Sequence, residues 1–374
     1  MKIRAAILEE MGRAPPYAQS KPLTIGEIDL QGPGPGEVLV KIAAAGLCHS
    51  DLSVIDGNRP RPTPMVLGHE AAGIVEEIGR EVTDLKPGDH VALVFVPSCG
   101  HCLPCASGRP ALCEPAAVAG GAGTLISGER RIRRNGAEIN HLLGVAAFAE
   151  YATCSRNSLV KVDPEVPLEQ AALFGCAVLT GVGAVVNTAR VEPGSTVAVV
   201  GLGGVGLSAI LGAVAAGAER IVAVDLSEDK LAVAMSLGAT DSFKAGEGAA
   251  QAIKDATGGG VHYAFEMAGA VAALDLAYRI TRRGGTTITA GLPNPNATFA
   301  LPALSLIAEE RTLKGSYMGS AVPSRDIPRY VNLFKRGKLP VDRLLTGTIT
   351  LDQLNEGFDA LREGRAIRQI LTFG

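Results

Sequence analysis

A glycine-rich turn between two apolar segments constrains the fold of this chain more than any other feature. Residues 195–200 form a continuous apolar, β-branched run, which is typical of a strand buried on both faces. The turn at 201–206, with the sequence GLGGVG, comes next, and residues 207–217 have the alanine- and leucine-rich composition of a helix. Residues 220–225 are a second apolar run that ends in Asp225. This order predicts a strand, a tight turn, a helix and a parallel strand.

The glycines of the turn indicate what it binds. Gly201 allows the tight turn, Gly203 allows the backbone to approach a pyrophosphate, and Gly206 allows helix and strand to pack closely. A pyrophosphate would also meet the positive end of the helix dipole. Asp225 follows about twenty residues after the turn, where it can bind the ribose hydroxyls of a dinucleotide. Because its charge would repel a 2′-phosphate, the sequence predicts NAD rather than NADP as the cofactor.

The alternation of strand-like and helix-like segments continues downstream. Residues 229–237 and 271–280 have helical patterns, whereas 261–265 and 286–290 have the apolar character of buried strands. This alternation predicts an α/β fold with a doubly wound parallel sheet. The run at 197–218 contains a single polar side chain and is long enough to span a bilayer, but its six glycines favour a buried strand, turn and helix.

Composition and charge exclude several classes of protein. With 47% hydrophobic and 20% charged residues, the chain is too apolar to be disordered. Its formal net charge of −3 gives none of the basic excess that nucleic-acid-binding proteins usually carry. The first ten residues contain only a short apolar stretch and already include an acid, so no signal peptide is predicted. We therefore expect no nucleic-acid or membrane partner and a cytoplasmic location, where thiols stay reduced.

Four of the seven cysteines lie within fifteen residues. In a reducing compartment such close spacing indicates a metal site rather than disulfides. Four thiolates fill all the positions that zinc prefers and leave none for a substrate, so a structural zinc is predicted at Cys99, Cys102, Cys105 and Cys113. An iron–sulfur cluster and four unrelated buried cysteines are the alternatives, and His101 could compete as a ligand. A zinc-ribbon binding module would explain this segment alone.

The other cysteines and one histidine carry little information singly. Cys48, Cys154 and Cys176 would each be a small core residue more often than a ligand. His69 follows an apolar run and a glycine and precedes the carboxylate of Glu70, but a lone histidine in such a place is more often structural. Their function is therefore predicted only from the motifs in which they occur.

Seven motifs spread along the chain form one recognisable combination. They are Gly46-Leu-Cys-His-Ser-Asp51, Gly68-His-Glu70, the four-cysteine segment, Gly175-Cys176, Gly201-Leu-Gly-Gly-Val-Gly206, Val224-Asp-Leu-Ser-Glu-Asp-Lys230 and Asn355-Glu-Gly-Phe358. The combination resembles the zinc-dependent alcohol dehydrogenases of the medium-chain dehydrogenase/reductase family, over essentially the whole chain. The resemblance implies a mainly β, GroES-like catalytic domain at 1–178 with a structural zinc lobe at 97–115, a Rossmann NAD-binding domain at 179–322, and a return to the catalytic domain at 323–374.

The resemblance also implies the ligands of a catalytic metal. Cys48, His69 and Cys176 would hold a zinc ion with its fourth position open, and three protein ligands are the usual number in catalytic zinc sites. Asp51 would accept the second N–H of His69 and fix its tautomer. Glu70 would be a further acid beside the site.

The resemblance also concerns the two serines and the histidine that follow Cys48, at positions used by relatives for proton transfer and cofactor binding. Ser50 would bond the alcohol and pass its proton on, although Ser53 stands where many relatives place a histidine for the last step of the relay. His49 stands where relatives carry arginine or histidine against the pyrophosphate. A histidine would bind the coenzyme more loosely than arginine and release NADH faster.

Further positions implied by the resemblance line the cofactor and the substrate. The cofactor-binding positions are His49, Thr180, Gly201, Gly203, Gly204, Val205, Gly206, Asp225, Lys230, Leu292 and Arg368. The substrate-pocket positions are Phe95, Leu112, Leu142, Leu143, Leu292 and Tyr317. Since these side chains are apolar apart from one tyrosine hydroxyl, the pocket favours a hydrophobic aliphatic or aromatic alcohol over a sugar.

The predicted function is reversible, NAD-dependent oxidation of a primary or secondary alcohol to an aldehyde or ketone, with two zinc ions per subunit. A polyol or S-(hydroxymethyl)glutathione dehydrogenase of the same family is the alternative. Relatives form homodimers or homotetramers, and the strand-like segment 312–318 could join two copies. The basic residues 129–134, within the divergent region 116–137, could bind an anion but are more often a solvated loop or a partner contact.

Overall fold

The chain folds into two compact units, and a computed structural model describes residues 1–373. The first unit comprises Met1–Cys176, Val322–Lys335 and the chain from Leu345 onward, and the second comprises Ala177–Ala321 and Arg336–Leu344. The last of these segments differs from the predicted division, which placed all of 323–374 in the first domain. It belongs to the second unit because its 3-10 helix, which buries Val341 and Leu344, packs against the helix that follows the glycine turn.

Strands predominate in the first unit, whereas strands and helices alternate in the second. The strands are β1 (Lys2–Leu8), β2 (Leu23–Leu30), β3 (Glu37–Gly46), β4 (Met65–Val66), β5 (Ala71–Ile78), β6 (His90–Leu93), β7 (Ile132–Arg134), β8 (Ala137–His141), β9 (Tyr151–Ser155), β10 (Leu159–Lys161), β11 (Thr196–Val200), β12 (Arg220–Asp225), β13 (Asp241–Lys244), β14 (Val261–Glu266), β15 (Thr281–Thr289), β16 (Thr312–Gly315), β17 (Gly347–Ile349) and β18 (Gln369–Thr372). The α-helices are α1 (Tyr17–Ser20), α2 (His49–Ile55), α3 (Leu103–Ala106), α4 (Glu114–Ala122), α5 (Leu168–Leu173), α6 (Ala177–Gly183), α7 (Gly204–Ala215), α8 (Glu228–Ser236), α9 (Ala249–Ala256), α10 (Val271–Ile280), α11 (Ala303–Ala308), α12 (Pro323–Lys335) and α13 (Leu354–Arg362).

Two sheets form the first unit. Strands β1, β2, β7, β8 and β4 close into a barrel, and the second sheet has the order β10-β6-β5-β3-β18-β17, with β9 also paired to β3. The central strand β3 is buried along most of its length, and its last residue, Gly46, pairs with Ile370 of β18. The chain that leaves β3 therefore enters the functional region at a position fixed by the C-terminal strand.

The second unit contains a parallel sheet in the order β13-β12-β11-β14-β15-β16. This order confirms the predicted doubly wound sheet, and β12 and α10 have the predicted bounds. Strand β15 begins at Thr281 rather than at 286, because Thr281 already pairs with Val261 before an irregularity in the register. The apolar run at 197–218 is β11, the turn and α7. Within residues 1–373, no helix combines the length and hydropathy that a membrane crossing requires.

The arginines of the basic segment before β8 form ion pairs within the chain. Each of its four arginines has a carboxylate within ion-pair distance, in the pairs Arg130–Glu138 (3.7 Å), Arg131–Glu37 (2.7 Å), Arg133–Glu138 (3.0 Å) and Arg134–Glu9 (2.6 Å). Glu37, which is 2% exposed, also accepts bonds from the backbone of Gly34 and the hydroxyl of Ser127. These ion pairs therefore connect the segment to neighbouring parts of the first unit. This disfavours the interpretation of the segment as an anion-binding surface.

Candidate functional site

Two of the candidate catalytic ligands lie beside the ends of regular elements, close to a glycine in the sequence. Cys48 precedes α2, two residues after β3 ends at Gly46. Cys176 lies between α5 and α6 and follows Gly175. A Cβ atom on Gly175 would lie 2.1 Å from the carbonyl oxygen of Leu93. The glycine therefore allows the loop that carries Cys176 to approach the end of β6.

The third ligand, His69, is delivered by the loop between β4 and β5. The preceding Gly68 has a φ of +90°, and an added Cβ would lie 2.6 Å from the backbone nitrogen of Phe148. Only glycine fits this conformation and this close approach without strain. The turn at Gly68 thus directs His69 into the interior, where it is 1% exposed.

These three side chains converge on one point. Their ligand atoms all lie within 4.8 Å of one another, and Nε2 of His69 is 3.6 Å from Sγ of Cys176. Cys48 and Cys176 are 7% and 6% exposed, so the set is shielded from bulk water. The ring of Phe95 meets the His69 ring edge to face, with the centroids 5.4 Å apart. Two thiols and one imidazole at this spacing provide the donors that zinc prefers.

The charges around this set shift the pKa values of its members. The hydrogen bond with Cys176 and the charges of His69 and Arg368 hold the pKa of Cys48 well below its usual value, against the effect of burial. Burial alone would lower the pKa of His69, but the charges of Asp51 and Cys48 outweigh it and raise that pKa. Because a metal requires thiolates and a neutral imidazole, metal binding here would release protons.

Asp51 connects His69 to the backbone of the loop that carries it. Its Oδ2 is 3.1 Å from Nδ1 of His69, and its Oδ1 accepts a hydrogen bond from the backbone N–H of Gly68 at 2.9 Å. Asp51 is 0% exposed and lies in the first turn of α2. The carboxylate therefore favours a proton on Nδ1 and leaves Nε2 free to bind a metal.

Glu70 and Arg368 form a buried pair in the first unit. Nη1 of Arg368 is 3.4 Å from Oε2 of Glu70 and donates to the carbonyl oxygen of Leu47 at 2.9 Å. Burial raises the pKa of Glu70 to about 7, although the Arg368 guanidinium acts against the rise. The structure thus places Arg368, which is predicted as a cofactor contact, against Glu70, with 3% of its surface exposed.

Helix α2 also carries the residues predicted for proton transfer. His49 is exposed, and Ser50 and Ser53 are half-buried. The hydroxyl of Ser53 donates a hydrogen bond to the carbonyl oxygen of His49 at 2.8 Å. Its proton therefore points to the helix backbone, which disfavours Ser53 itself as the last member of a proton relay.

The four clustered cysteines form a second candidate metal centre. The ligand atoms of Cys99, Cys102, Cys105 and Cys113 lie within 4.8 Å of one another. Backbone N–H groups of Cys99 and Cys102 donate to the sulfur atoms of Cys113 and Cys99, at 3.2 and 3.3 Å. Nδ1 of His101 instead contacts the carbonyl oxygen of Cys99 at 2.8 Å. The site thus offers four sulfur donors, and the ring of His101, the competing ligand, contacts the backbone instead.

The glycine turn of the second unit combines two tight positions with one open position. Gly201 has a φ of +94°, and a Cβ there would lie 2.8 Å from the backbone nitrogen of Ala268. A Cβ on Gly206 would lie 1.9 Å from the carbonyl oxygen of Gly201. A Cβ on Gly203 would meet no atom within 4 Å. The space beside Gly203, at the N-terminus of α7, is therefore open to a phosphate group.

The acid at the end of β12 is held in place by the turn itself. Oδ2 of Asp225 accepts a hydrogen bond from the backbone N–H of Leu202 at 2.7 Å, and Oδ1 accepts one from Ser227 at 2.9 Å. Asp225 is half-buried, so its carboxylate is still within reach of a ligand. These bonds couple the position of the acid to that of the glycine turn.

The remaining predicted positions are divided between the two units. Those in the first unit are Phe95, Leu112, Leu142 and Leu143, and those in the second are Thr180, Gly204, Val205, Lys230, Leu292 and Tyr317. Leu292 and Tyr317 are 48% and 38% exposed, whereas Leu142 is 2% exposed and belongs to the core.

One buried acid in the second unit was not predicted from the sequence. Glu266 ends strand β14 and is 1% exposed. The signal that could have found it is the same as for Asp225, since in both places an apolar strand ends in an acid.

Two family models match the chain, and they agree with the two types of unit. Residues 34–164 match the family described as "Alcohol dehydrogenase GroES-like domain", and residues 204–336 match "Zinc-binding dehydrogenase". A Mycobacterium tuberculosis protein whose provisional name is alcohol dehydrogenase D is 41% identical over 376 residues, which covers 100% of both chains.

Solved structures extend this similarity to the fold. An alcohol dehydrogenase zinc-binding domain protein from Burkholderia ambifaria is 36% identical with a TM-score of 0.94, covering 100% of this chain and 99% of that one. Benzyl alcohol dehydrogenase from Acinetobacter calcoaceticus is 34% identical with a TM-score of 0.92, covering 100% of both chains. The full-length match at this level of identity shows that the chain belongs to the zinc-binding alcohol dehydrogenase family of oxidoreductases.

Proposed function

We propose that this protein catalyses the reversible, NAD-dependent oxidation of a hydrophobic alcohol to an aldehyde or ketone. The observation that carries the proposal is the buried convergence of Cys48, His69 and Cys176. Three protein ligands of this kind suit a catalytic zinc, which needs one further position for a substrate. The donor chemistry and the burial of the three side chains both fit that ion.

The residues of the first unit have separable tasks in this reaction. A zinc ion held by the three ligands would supply a Lewis acid that lowers the pKa of an alcohol hydroxyl. Asp51 orients His69 through the 3.1 Å contact with Nδ1. Ser50 accepts the proton of the hydroxyl group, as the family resemblance implies. Since the Ser53 hydroxyl is bonded to the backbone, water completes the path of the proton to solvent.

Asp225 supports NAD over NADP. Its carboxylate is fixed at the carboxyl end of β12 by the N–H groups of Leu202 and Ser227. In this place it can accept hydrogen bonds from the adenosine ribose, and it would repel a 2′-phosphate. The open space beside Gly203 is suited to the pyrophosphate.

An aromatic primary alcohol is the substrate class that we favour. The predicted pocket positions other than the core residue Leu142 are apolar apart from the Tyr317 hydroxyl, and one of them, Phe95, packs edge to face against His69. An aromatic substrate could pack against such side chains in the same way. The relative from Acinetobacter calcoaceticus, similar over its whole length, is named a benzyl alcohol dehydrogenase.

The four-cysteine segment and the edge of the parallel sheet support two further parts of the proposal. Cys99, Cys102, Cys105 and Cys113 would hold a second zinc ion with a structural function, because four sulfurs leave no open position. We also propose that the protein is a homo-oligomer joined at strand β16, which lies at the edge of the parallel sheet.

The proposed function is tested by metal analysis together with a steady-state assay of alcohols, with NAD and NADP compared. We expect two zinc ions per chain, activity with benzyl and other hydrophobic alcohols, and a preference for NAD. Cys176→Ala should lose one zinc ion and the activity. Cys154→Ala is the matched control, because Cys154 is 0% exposed and lies outside both metal-ligand sets. Full activity after complete removal of metal would contradict the proposal.

A further inference from the structure

Glu266 is a buried carboxylate outside the reaction site described above. It ends strand β14 and is 1% exposed. Strands β11 and β14 are neighbours at the point where the strand order of the sheet reverses, and ligands of such sheets bind outside the carboxyl ends of the strands at that point. A charged side chain buried there must be satisfied by hydrogen bonds, and its partners show what it holds.

The carboxylate of Glu266 joins the chain segments that follow two adjacent strands. Oε1 accepts hydrogen bonds from the backbone N–H groups of Ala268 and Gly269, at 2.7 and 2.6 Å. Oε2 accepts one from the hydroxyl of Thr289 at 2.7 Å. Thr289 is the residue paired with Glu266 in the ladder between β14 and β15. One side chain therefore fixes the turn after β14 and connects it to the end of β15.

These two segments pack closely against each other. A Cβ on Gly291 would lie 2.1 Å from the backbone nitrogen of Gly269 and 2.8 Å from Oε1 of Glu266. A Cβ on Gly269 would lie 2.8 Å from the carbonyl oxygen of Leu292. Leu292 is one of the positions predicted to line both the cofactor and the substrate. A shift of the turn held by Glu266 would therefore displace Leu292.

The same turn also packs against the glycine turn. A Cβ on Gly201 would lie 2.8 Å from both the backbone nitrogen and the Cβ of Ala268. Gly201 also packs closely against Gly206, since a Cβ on Gly206 would lie 1.9 Å from its carbonyl oxygen. The position of Ala268 therefore helps to set the position of the turn proposed to bind the pyrophosphate.

We propose that Glu266 is a positioning residue for the dinucleotide: its buried carboxylate holds the turn at 267–269 between the glycine turn and Leu292. This inference rests on the proposed function, since it requires that the second unit binds NAD. Glu266 acts through Ala268, Gly269 and Thr289. Its loss would make the turn at 267–269 less well fixed without removing a metal ligand.

The experiment compares four variants in the full-length, zinc-loaded protein. Glu266→Ala removes all three hydrogen bonds, and Thr289→Val removes only the bond to Oε2, which provides a milder variant if the first fails to fold. Thr287→Val is the matched control: Thr287 lies on the same strand, is 0% exposed and bonds Thr281 at 2.7 Å, so the same kind of bond is lost elsewhere. Glu266→Gln keeps an acceptor for both N–H groups and tests rescue.

Two readouts separate positioning from general stability. Hydrogen exchange at the Ala268 and Gly269 amides is measured without cofactor, and the Kd for NADH is measured by fluorescence. For Glu266→Ala we expect faster exchange at both amides and a Kd raised about tenfold, the typical effect on an equilibrium of losing a hydrogen bond to a charged group. The KM for NAD should rise more than kcat falls. In Thr289→Val the exchange rates and the Kd for NADH should rise by less than in Glu266→Ala. In Glu266→Gln both should return part of the way to the wild-type values.

The outcomes distinguish this inference from the proposed function. If Glu266→Ala and Thr289→Val keep the wild-type Kd for NADH, or if Thr287→Val weakens NADH as much as they do, Glu266 is not a positioning residue. If the wild-type protein binds neither NADH nor NADPH, the proposed function and the dinucleotide part of the inference both fail. In that case unchanged exchange at Ala268 and Gly269 would also refute the claim that Glu266 holds the turn.

Discussion

A single carboxylate, that of Asp51, determines which nitrogen of His69 is available to a metal. One of its oxygens lies 3.1 Å from Nδ1 of His69 and the other accepts a hydrogen bond from the N–H of Gly68, so the carboxylate contacts both the ring and the loop that carries it. Asp51→Asn would keep a hydrogen bond to Gly68 and remove the charge from the ring. We expect the affinity for the catalytic zinc to fall about 10- to 100-fold, the usual effect of changing an acid behind a metal-bound histidine. Competition with a chelator measures it.

The control for Asp51→Asn is Asp89→Asn. Asp89 is 7% exposed in the same unit, and it pairs with Lys161 at 2.6 Å, away from the metal ligands. It should retain both zinc ions with wild-type affinity. Equal zinc affinity in the two variants would show that Asp51 does not act through His69.

His141 is a buried, neutral histidine whose protonation opposes folding. It is 0% exposed, its Nε2 accepts a hydrogen bond from the Arg131 backbone at 3.0 Å, and burial together with Arg130 and Arg131 lowers its pKa from 6.5 to about 3. Between these two pKa values only the unfolded chain takes up the proton, so stability falls as the pH falls. The loss is about 1.4 kcal/mol per pH unit, or about 2 kcal/mol from pH 6.5 to pH 5.

The variant His141→Gln isolates this effect, because it keeps an acceptor near Arg131 and does not titrate. Urea unfolding at pH 7, 6 and 5 should show a smaller loss of unfolding free energy in the variant than in the wild type. Acid release of zinc affects both proteins equally and cancels in the difference. Parallel pH profiles would mean that His141 is protonated in the folded state.

At the scale of the element, the glycines of the turn between β11 and α7 have different roles. Gly201 and Gly206 are needed for the fold of the turn, whereas Gly203 leaves space for a ligand. Gly203 has an ordinary φ of −75°, and its added Cβ would meet no atom within 4 Å. Gly203→Ala should therefore unfold at the wild-type temperature while its Kd for NADH rises at least about tenfold, because the methyl group occupies the approach to the pyrophosphate. Calorimetry and NADH fluorescence measure the two quantities.

Variants of two other glycines serve as comparisons for Gly203→Ala. Gly206→Ala would place a Cβ 1.9 Å from the Gly201 carbonyl, so it should lower stability by about 1–3 kcal/mol, as overpacking generally does. Gly26→Ala in β2 has open space around it and should change neither property. A Gly203→Ala protein that binds NADH normally would refute the assignment of the open space to a phosphate.

The elements of the second unit could be predicted because its central strands are buried on both faces. A strand covered on both faces is apolar throughout, and β12 and α10 were predicted at their observed bounds. The barrel of the first unit could not be predicted in the same way. Strand β4 has two residues and β7 has three, too few to show any period. Their pairing is a property of the tertiary structure.

At the scale of the whole molecule, the two candidate sets of metal ligands differ in what the sequence reveals about them. The spacing of Cys99, Cys102, Cys105 and Cys113 alone predicted a shared site, because a short loop keeps close cysteines together. The pair of Cys176 and His69 is separated by 107 residues, and only the family resemblance indicated that they meet. One ion pair of the basic segment had no local signal either, since Glu9 and Arg134 are 125 residues apart.

The edge of the parallel sheet indicates how complete subunits would associate. Strand β16 ends the sheet, and helix α11 before it carries Leu304 and Ile307, which are 76% and 75% exposed. An open edge beside large exposed apolar side chains favours pairing with another chain. A two-fold axis at β16 would extend the sheet into a second copy, and since α11 precedes β16 closely in the chain we expect both side chains to lie at the interface.

We therefore expect a homodimer, or a tetramer built from such dimers, and expect the double variant Leu304→Lys with Ile307→Lys to separate the copies joined at β16. Four lysines facing each other across the axis would repel and would be costly to bury. Sedimentation velocity should show a shift to the smaller species in the variant, while Val118→Lys, which changes an equally exposed residue on α4, should not shift it. A monomeric wild type, or a double variant that assembles as the wild type does, would exclude β16 and α11 as the interface.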